Sequence, residues 1–325
     1  PLLDKDNKPF AITIVGAITK NDPNGDEFFV FSTVNIAHAT GGNATYSAVR
    51  SEGGYYRKGQ YSVLENTMIK KPFTDNGASN WVADMAIGDP ECPLIMEMNL
   101  DTGGNYDWVN SVQCASDVCT EGHHQFNPDK SKTFKWVDKT PTLHDWSVWG
   151  TSMANLGNDI VNISPSDPTI ALTKNINLIT KFDETAQFKE LLWDGAFAIP
   201  SYSTGGNPLD SLSTIDNIMV DLVANNTIDP NKVNISFYYD KKNGKGKYKI
   251  GSDIVDPALV DIDSKIVLKQ DSYLGLNGLV SYVWSTTLNG VTVGGTQITG
   301  INKNTRFAFD TGASSMKGDA SLMNQ

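Results

Sequence analysis

Two apolar runs about 200 residues apart end in the same three residues, and that repetition constrains the fold more than any other feature of this 325-residue chain. The first is Ile95-Met96-Glu97-Met98-Asn99-Leu100 followed by Asp101-Thr102-Gly103, and the second is Arg306-Phe307-Ala308-Phe309 followed by Asp310-Thr311-Gly312. A strand ending this way delivers a carboxylate, and the glycine lets the backbone turn sharply beside it. If the two turns pack face to face, each Thr hydroxyl reaches the other copy, and Asp101 meets Asp310. Two carboxylates about 3–4 Å apart repel by on the order of 4–5 kcal/mol at an effective dielectric near 20. One proton is then held between them, and the titration belongs to the pair. Such a pair supports general acid–base chemistry: the charged member draws a proton from water while the protonated member polarises a carbonyl.

The rest of the chain agrees with a strand-rich frame. Short runs rich in β-branched or aromatic residues are predicted as strands at Phe10–Ile18, Phe28–Ile36, Val82–Ile87, Leu94–Leu100, Ile160–Ile163, Val233–Tyr239, Lys247–Ile250, Lys265–Lys269, Leu279–Thr286 and Thr305–Phe309. Asn24-Gly25, Asn243-Gly244 and Asn289-Gly290 supply hairpin turns between them. Only Thr185–Leu192 and Ile215–Asn225 carry helical spacing. A hydrophobic fraction of 39% is enough to build cores, and the length suggests two lobes.

Charge narrows the partners. The net charge of −11 argues against nucleic acid and anionic lipid. No apolar run reaches the roughly 18–20 residues that cross a bilayer, and the opening PLLDKDNKPF does not have the form of a signal peptide. Residues 1–72 hold 8 Lys/Arg and 7 Asp/Glu, a net of +1, which leaves −12 for residues 73–325. A near-neutral lead before an acidic body suits either a detachable prosegment or a permanent N-terminal layer.

From about Asn80 onward the chain resembles the pepsin-like aspartic proteases. Ile87-Gly88-Asp89-Pro90 is similar to the family's turn before the first strand. Asp101-Thr102-Gly103-Gly104-Asn105-Tyr106-Asp107-Trp108-Val109 resembles its signature, with Trp108 at the family's offset. Gln125-Phe126-Asn127-Pro128-Asp129 resembles the stretch after its small disulfide loop. Trp149-Gly150-Thr151-Ser152-Met153 resembles the flap hairpin, and Asp194-Gly195 and Asp310-Thr311-Gly312-Ala313-Ser314 follow in the family's order.

The resemblance implies a mostly β, bilobal fold of two pseudosymmetric lobes with a few short helices. The implied division is 1–72 as N-terminal extension or prosegment, 73–215 as the N-terminal lobe and 216–325 as the first part of the C-terminal lobe. It implies peptide-bond hydrolysis at acidic pH, with Asp101 and Asp310 catalytic and no cofactor or metal. Gly103, Trp149, Gly150, Thr151, Gly312 and Ala313 would line the substrate site, while Thr102, Thr311 and Trp108 would support it. The partner would be an extended polypeptide, with a second chain completing the C-terminal lobe. The setting would be secreted or an acidic vacuolar or lysosomal compartment, with a zymogen form and glycosylation.

Departures favour an alternative, a pepsin-fold protein that binds or inhibits without cutting. The family's Ser or Thr after each Asp-Thr-Gly is Gly104 and Ala313 here, and its flap Tyr is replaced by Trp149. Where the family has Gly at the end of its Asp-Gly strand, this chain has Ala198, whose methyl is expected to crowd the loop beneath Asp101.

Other features have plainer readings. Cys114 and Cys119 are spaced to close a small loop, and stand where the family places a disulfide; Cys92 has no evident partner. His123 and His124 fit no standard zinc spacing, and His38 and His144 accompany no nucleophile pattern. Sequons at Asn43, Asn162, Asn225 and Asn234 are about as many as a chain this rich in Asn, Ser and Thr contains by chance. The lysines between Asp240 and Lys249 read as a solvated hairpin.

Overall fold

Short apolar runs bounded by Gly, Asn and Asp favour strands over helices, and the protein is mostly β with a few short helices. The computed structural model describes residues 64–72, 79–114, 116–146, 150–166, 170–183, 188, 191–201, 217–225, 227–229, 233–240, 244–251, 273–275, 278–280, 283–314, 316 and 318–324, with strand backbone at 11–17, 28–35 and 56–57. The chain divides into two compact units, Pro1–Ser62 and Val63–Gln325.

In the first unit, β1 (Ala11–Ala17), β2 (Phe28–Asn35) and β3 (Tyr56–Arg57) form an antiparallel sheet in that order, with Ala11 opposite Asn35 and Phe29 opposite Tyr56.

The second unit carries a ten-stranded sheet. Its strands are β4 (Leu64–Pro72), β5 (Ser79–Ile87), β6 (Leu94–Asp101), β7 (Asp107–Asn110), β8 (Lys135–Asp145), β9 (Thr151–Asn162), β10 (Ala171–Phe182), β11 (Gly195–Ala198), β12 (Ile235–Asp240) and β13 (Lys245–Ile250). Their spatial order is β12-β13-β4-β5-β6-β11-β7-β10-β9-β8, and β5 also meets β9. The strand β4, inside the near-neutral lead, thus belongs with the second unit.

Six small strands follow among the described residues. They are β14 (Tyr273–Gly275) with β15 (Gly278–Val280), β17 (Thr292–Val293) with β18 (Thr296–Gln297), and β16 (Ser285–Thr287) with β19 (Arg306–Ala308). Among the described residues the helices are α1 (Asp117–Thr120), α2 (Ile218–Ala224), α3 (Ala320–Met323) and a 3-10 turn at Pro128–Lys130. Asn217 caps α2, its side-chain oxygen accepting from the Met219 and Val220 N–H groups. The predicted Lys265–Lys269 strand lies outside the described residues, as does most of the predicted Thr185–Leu192 helix.

The core explains where the site sits. Met96, Met98 and Leu100 of β6 are buried among Met85, Val109, Leu178 and Phe197. Each such side chain contributes roughly 1.5–3 kcal/mol by leaving water. All four residues of β11 are buried, wedged parallel to β6 and antiparallel to β7. A side chain at Gly195 would stand 3.0 Å from both the Met98 sulfur and the Val109 Cα, so only glycine fits that crossing. The end of β6, which carries Asp101, therefore rests beside a close-packed crossing of the sheet. No helix among the described residues is long and apolar enough to cross a membrane.

Candidate active site

β6 ends at Asp101, and Asp310 lies two residues beyond β19. The two turns face each other with near two-fold symmetry. A methyl on Gly103 would lie 2.5 Å from the Asp310 Cγ, and one on Gly312 would lie 2.5 Å from the Asp101 Cγ. Each glycine therefore abuts the opposite carboxyl, closer than any side chain permits.

The threonines tie the turns together. The Thr102 N–H donates to the Thr311 hydroxyl at 3.1 Å, and the Thr311 N–H donates to the Thr102 hydroxyl at 2.9 Å. Each hydroxyl then donates onward, Thr102 to the Phe309 carbonyl at 2.8 Å and Thr311 to the Leu100 carbonyl at 2.5 Å. The carboxyls are held alike. The Oδ1 of Asp101 accepts from the N–H groups of Gly103 (2.9 Å) and Gly104 (2.8 Å), and that of Asp310 from Gly312 (2.9 Å) and Ala313 (3.1 Å).

The two carboxyls are close neighbours, each abutting the other turn's glycine, so a proton held between them relieves their repulsion. Burial, reinforced by the neighbouring Asp310 charge, pushes Asp101 up to about 7 against the pull of the Gly103 and Gly104 N–H groups. This is the electrostatic signature of two acids competing for one charge.

The remaining residues fall as follows. Trp108 is buried, edge-on to Trp146 and Phe182 at 5.6 and 5.8 Å. Cys114 and Cys119 form a buried disulfide, and Cys92 is free and exposed. Gly150 and Thr151 stand at the entry to β9, where the Gly150 carbonyl accepts from the Trp146 N–H and the Thr151 carbonyl from the Asp183 N–H. Trp149 lies outside the described residues.

Lys70 and Lys71, at the end of the near-neutral lead, have partners away from the two aspartates. The Lys71 ammonium binds the Glu97 carboxylate and the Leu192 carbonyl, and Lys70 lies over the Trp81 ring.

Several residues act at the site without belonging to a motif. The Asn80 amide donates to the Gly312 carbonyl at 2.9 Å. The Ile199 N–H donates to the Asp101 carbonyl at 2.7 Å, while the Ile199 carbonyl accepts from the Trp284 indole at 2.7 Å. Trp284 in turn accepts from the Phe309 N–H, which links both turns through one segment. Asp194, nearly buried, accepts from the Glu97 and His124 N–H groups, contacts the His124 ring at 2.9 Å and lies 3.5 Å from His123. Burial opposes its ionisation, but His123, the Glu97 N–H and His124 together hold it below the usual carboxylate range. The sequence marks Asp194 through the Asp194-Gly195 match and His123-His124 by their place before Gln125-Phe126, but nothing in it pairs the histidines with that carboxylate.

Paired carboxyls at strand ends, cross-tied by threonines on a strand-rich frame, define the class of pepsin-like aspartic protease folds. The chain belongs to the eukaryotic aspartyl protease family, whose sequence profile matches residues 80–325. Among curated relatives, chymosin of Camelus dromedarius is 34% identical over 110 residues, covering 34% of this chain and 27% of that protein. Chymosin of Bos taurus is 24% identical over 291 residues, covering 86% and 68%, and pepsin A of Gallus gallus 27% identical over 161 residues, covering 49% and 40%. The chain thus spans between about a quarter and two thirds of the length of these relatives.

Proposed function

We propose that this chain carries the catalytic pair of an aspartic endopeptidase that hydrolyses peptide bonds at acidic pH. The observation behind this reading is the reciprocal packing of Asp101 and Asp310, each capped by two backbone N–H groups and pressed against the other turn's glycine.

With one proton shared, the ionised carboxylate takes a proton from a water that attacks the scissile carbonyl. The protonated partner donates to the carbonyl oxygen, and collapse of the tetrahedral species returns a proton to the leaving amine. The held Oδ1 atoms leave each Oδ2 available for this exchange. The substrate would be an extended polypeptide lying across both turns, with the Gly150–Thr151 entry to β9 beside it. Names such as chymosin and pepsin among the relatives agree with this substrate class and with a secreted or acidic setting.

The loss of hydroxyls at Gly104 and Ala313 does not disarm the pair, because the backbone N–H groups of those residues still reach Oδ1. Digestion of denatured protein between pH 3 and 6 tests the reading. Cleavage is expected for the unaltered chain, with at least about a thousandfold loss in Asp101→Asn and in Asp310→Asn. Wild-type rates in either variant would remove the pair as catalyst, and peptide binding without cleavage would favour the non-cutting alternative.

A further inference from the structure

Behind the Asp101 turn sits a buried charge cluster that the proposed chemistry does not use. The Lys174 side chain, on β10, is wholly buried, with its ammonium 3.7 Å from the Asp107 Oδ2, 3.8 Å from the Asp221 Oδ2 and 5.9 Å from the Phe197 ring centre. Asp107 opens β7 and is also buried, while Asp221, on α2, is about one third exposed. Burying an ammonium and a carboxylate is costly, and well-packed apolar residues of similar volume commonly serve a core as well or better. The cluster therefore invites a reading beyond stability.

Its geometry supplies one. The other Asp107 oxygen, Oδ1, accepts from the Ala198 N–H at 2.7 Å. Ala198 is in register with Asp101 across the parallel β6–β11 pair, and the next residue, Ile199, donates its N–H to the Asp101 carbonyl. The Ile199 carbonyl takes the Trp284 indole, which leads to the strand end carrying Asp310. The segment Ala198–Ile199 is thus fixed from behind by Asp107, bonds the Asp101 motif directly and reaches the strand before Asp310 through Trp284.

We propose that Asp107, held by Lys174, is a positioning residue that sets the Asp101 carboxyl through the Ala198–Ile199 segment. The part that matters is the hydrogen bond from Ala198 to Oδ1; Lys174 aims the carboxylate, with Asp221 sharing the ammonium from the α2 side. The inference rests on the reading of Asp101 and Asp310 as a catalytic pair.

Two double variants of the full chain, equal in charge, separate positioning from folding. Asp107→Leu/Lys174→Met removes the acceptor together with the ammonium that would be left stranded. Asp107→Asn/Lys174→Met removes the same charges but keeps an oxygen facing the Ala198 N–H. With an internally quenched peptide at acidic pH, the Leu variant is expected to lose at least about tenfold in kcat with KM within about twofold, because misplacement acts on the reacting geometry. The Asn variant is expected to stay within about threefold of the unaltered chain. A carbon-13 titration of the Asp101 carboxyl gives a readout independent of turnover, displaced in the Leu variant and retained in the Asn variant. Absence of turnover in the unaltered chain would sink the protease reading, while the titration would still decide the positioning role. An unchanged kcat and titration in the Leu variant overturns the inference, as does equal loss in both variants, which would assign the cluster to folding alone.

Discussion

At Gly104 and Ala198 two departures from the family pattern meet. A methyl on Gly104 would stand 2.8 Å from the Asp101 Oδ2, 3.0 Å from its Cγ and 3.4 Å from the Ala198 Cβ. The short contacts are with the Asp101 carboxyl, whereas the Ala198 methyl is at ordinary van der Waals distance, so the expected crowding by Ala198 does not arise. Restoring the family hydroxyl, in Gly104→Ser, should therefore lower peptidase activity by roughly tenfold, and adding Ala198→Gly should not restore it. Paired rate measurements check this, and recovery of activity in the double variant would show that Ala198, not the Asp101 carboxyl, is what the new side chain meets. Gly312→Ala should be more damaging, since its methyl would lie 2.5 Å from the Asp101 carboxyl carbon. Gly290→Ala meets only the Gln297 amide at 3.8 Å and serves as the tolerant control. Asp101 and Asp310 were legible in the sequence because their chemistry is written locally, as a strand end and a turn. Asn80, Ile199 and Trp284 were not, because each meets a backbone atom that only the folded chain brings near, and no residue type marks such a partner.

Strands determine how firmly the turns are held. Thr102 and Thr311 bridge the ends of β6 and β19, each hydroxyl both accepting and donating, so neither turn is fixed without the other. Replacing Thr311 by Val keeps the shape but strands the Thr102 N–H and the Leu100 carbonyl. The expected cost is about 1–3 kcal/mol of stability, with a larger proportional loss of activity than of folded protein. Urea unfolding alongside activity measurement checks this, and a stability cost with full activity would separate the bridge from the chemistry. Element by element, β5, β6 and α2 follow from local pattern, since apolar spacing and the Asn217 cap state the period plainly. β8 and β10 did not, because β8 is an edge strand with mostly exposed side chains, and β10 places a lysine and asparagines in the sheet. β11 was legible only through the resemblance, as the Asp-Gly strand, because Gly and Ala are poor strand formers and tertiary wedging overrides propensity there.

For the whole molecule, two carboxyls pull the stability profile in opposite directions with pH. Asp101 is raised in the folded protein to about 7, so the native state holds its proton more tightly than the unfolded chain does. Its favourable contribution is complete below the ordinary carboxylate value near 4 and is lost as pH rises toward 7, a change on the order of 4 kcal/mol. Asp194 is lowered, so its contribution is complete above the ordinary value and is lost as pH falls through the more acidic folded value. The net charge of −11 adds general self-repulsion on the alkaline side. Stability should therefore peak in the acid range near pH 4–5 and decline in both directions. Thermal unfolding from pH 2 to 8 measures the profile, and the two arms are separable. Asp101→Asn should flatten the decline between pH 4 and 7 while leaving the acid arm, and Asp194→Asn should lower the whole curve but remove the acid arm. A decline above pH 4 that is as steep in Asp101→Asn as in the unaltered chain would mean that repulsion across the acidic surface, not the shared proton, sets the alkaline limit.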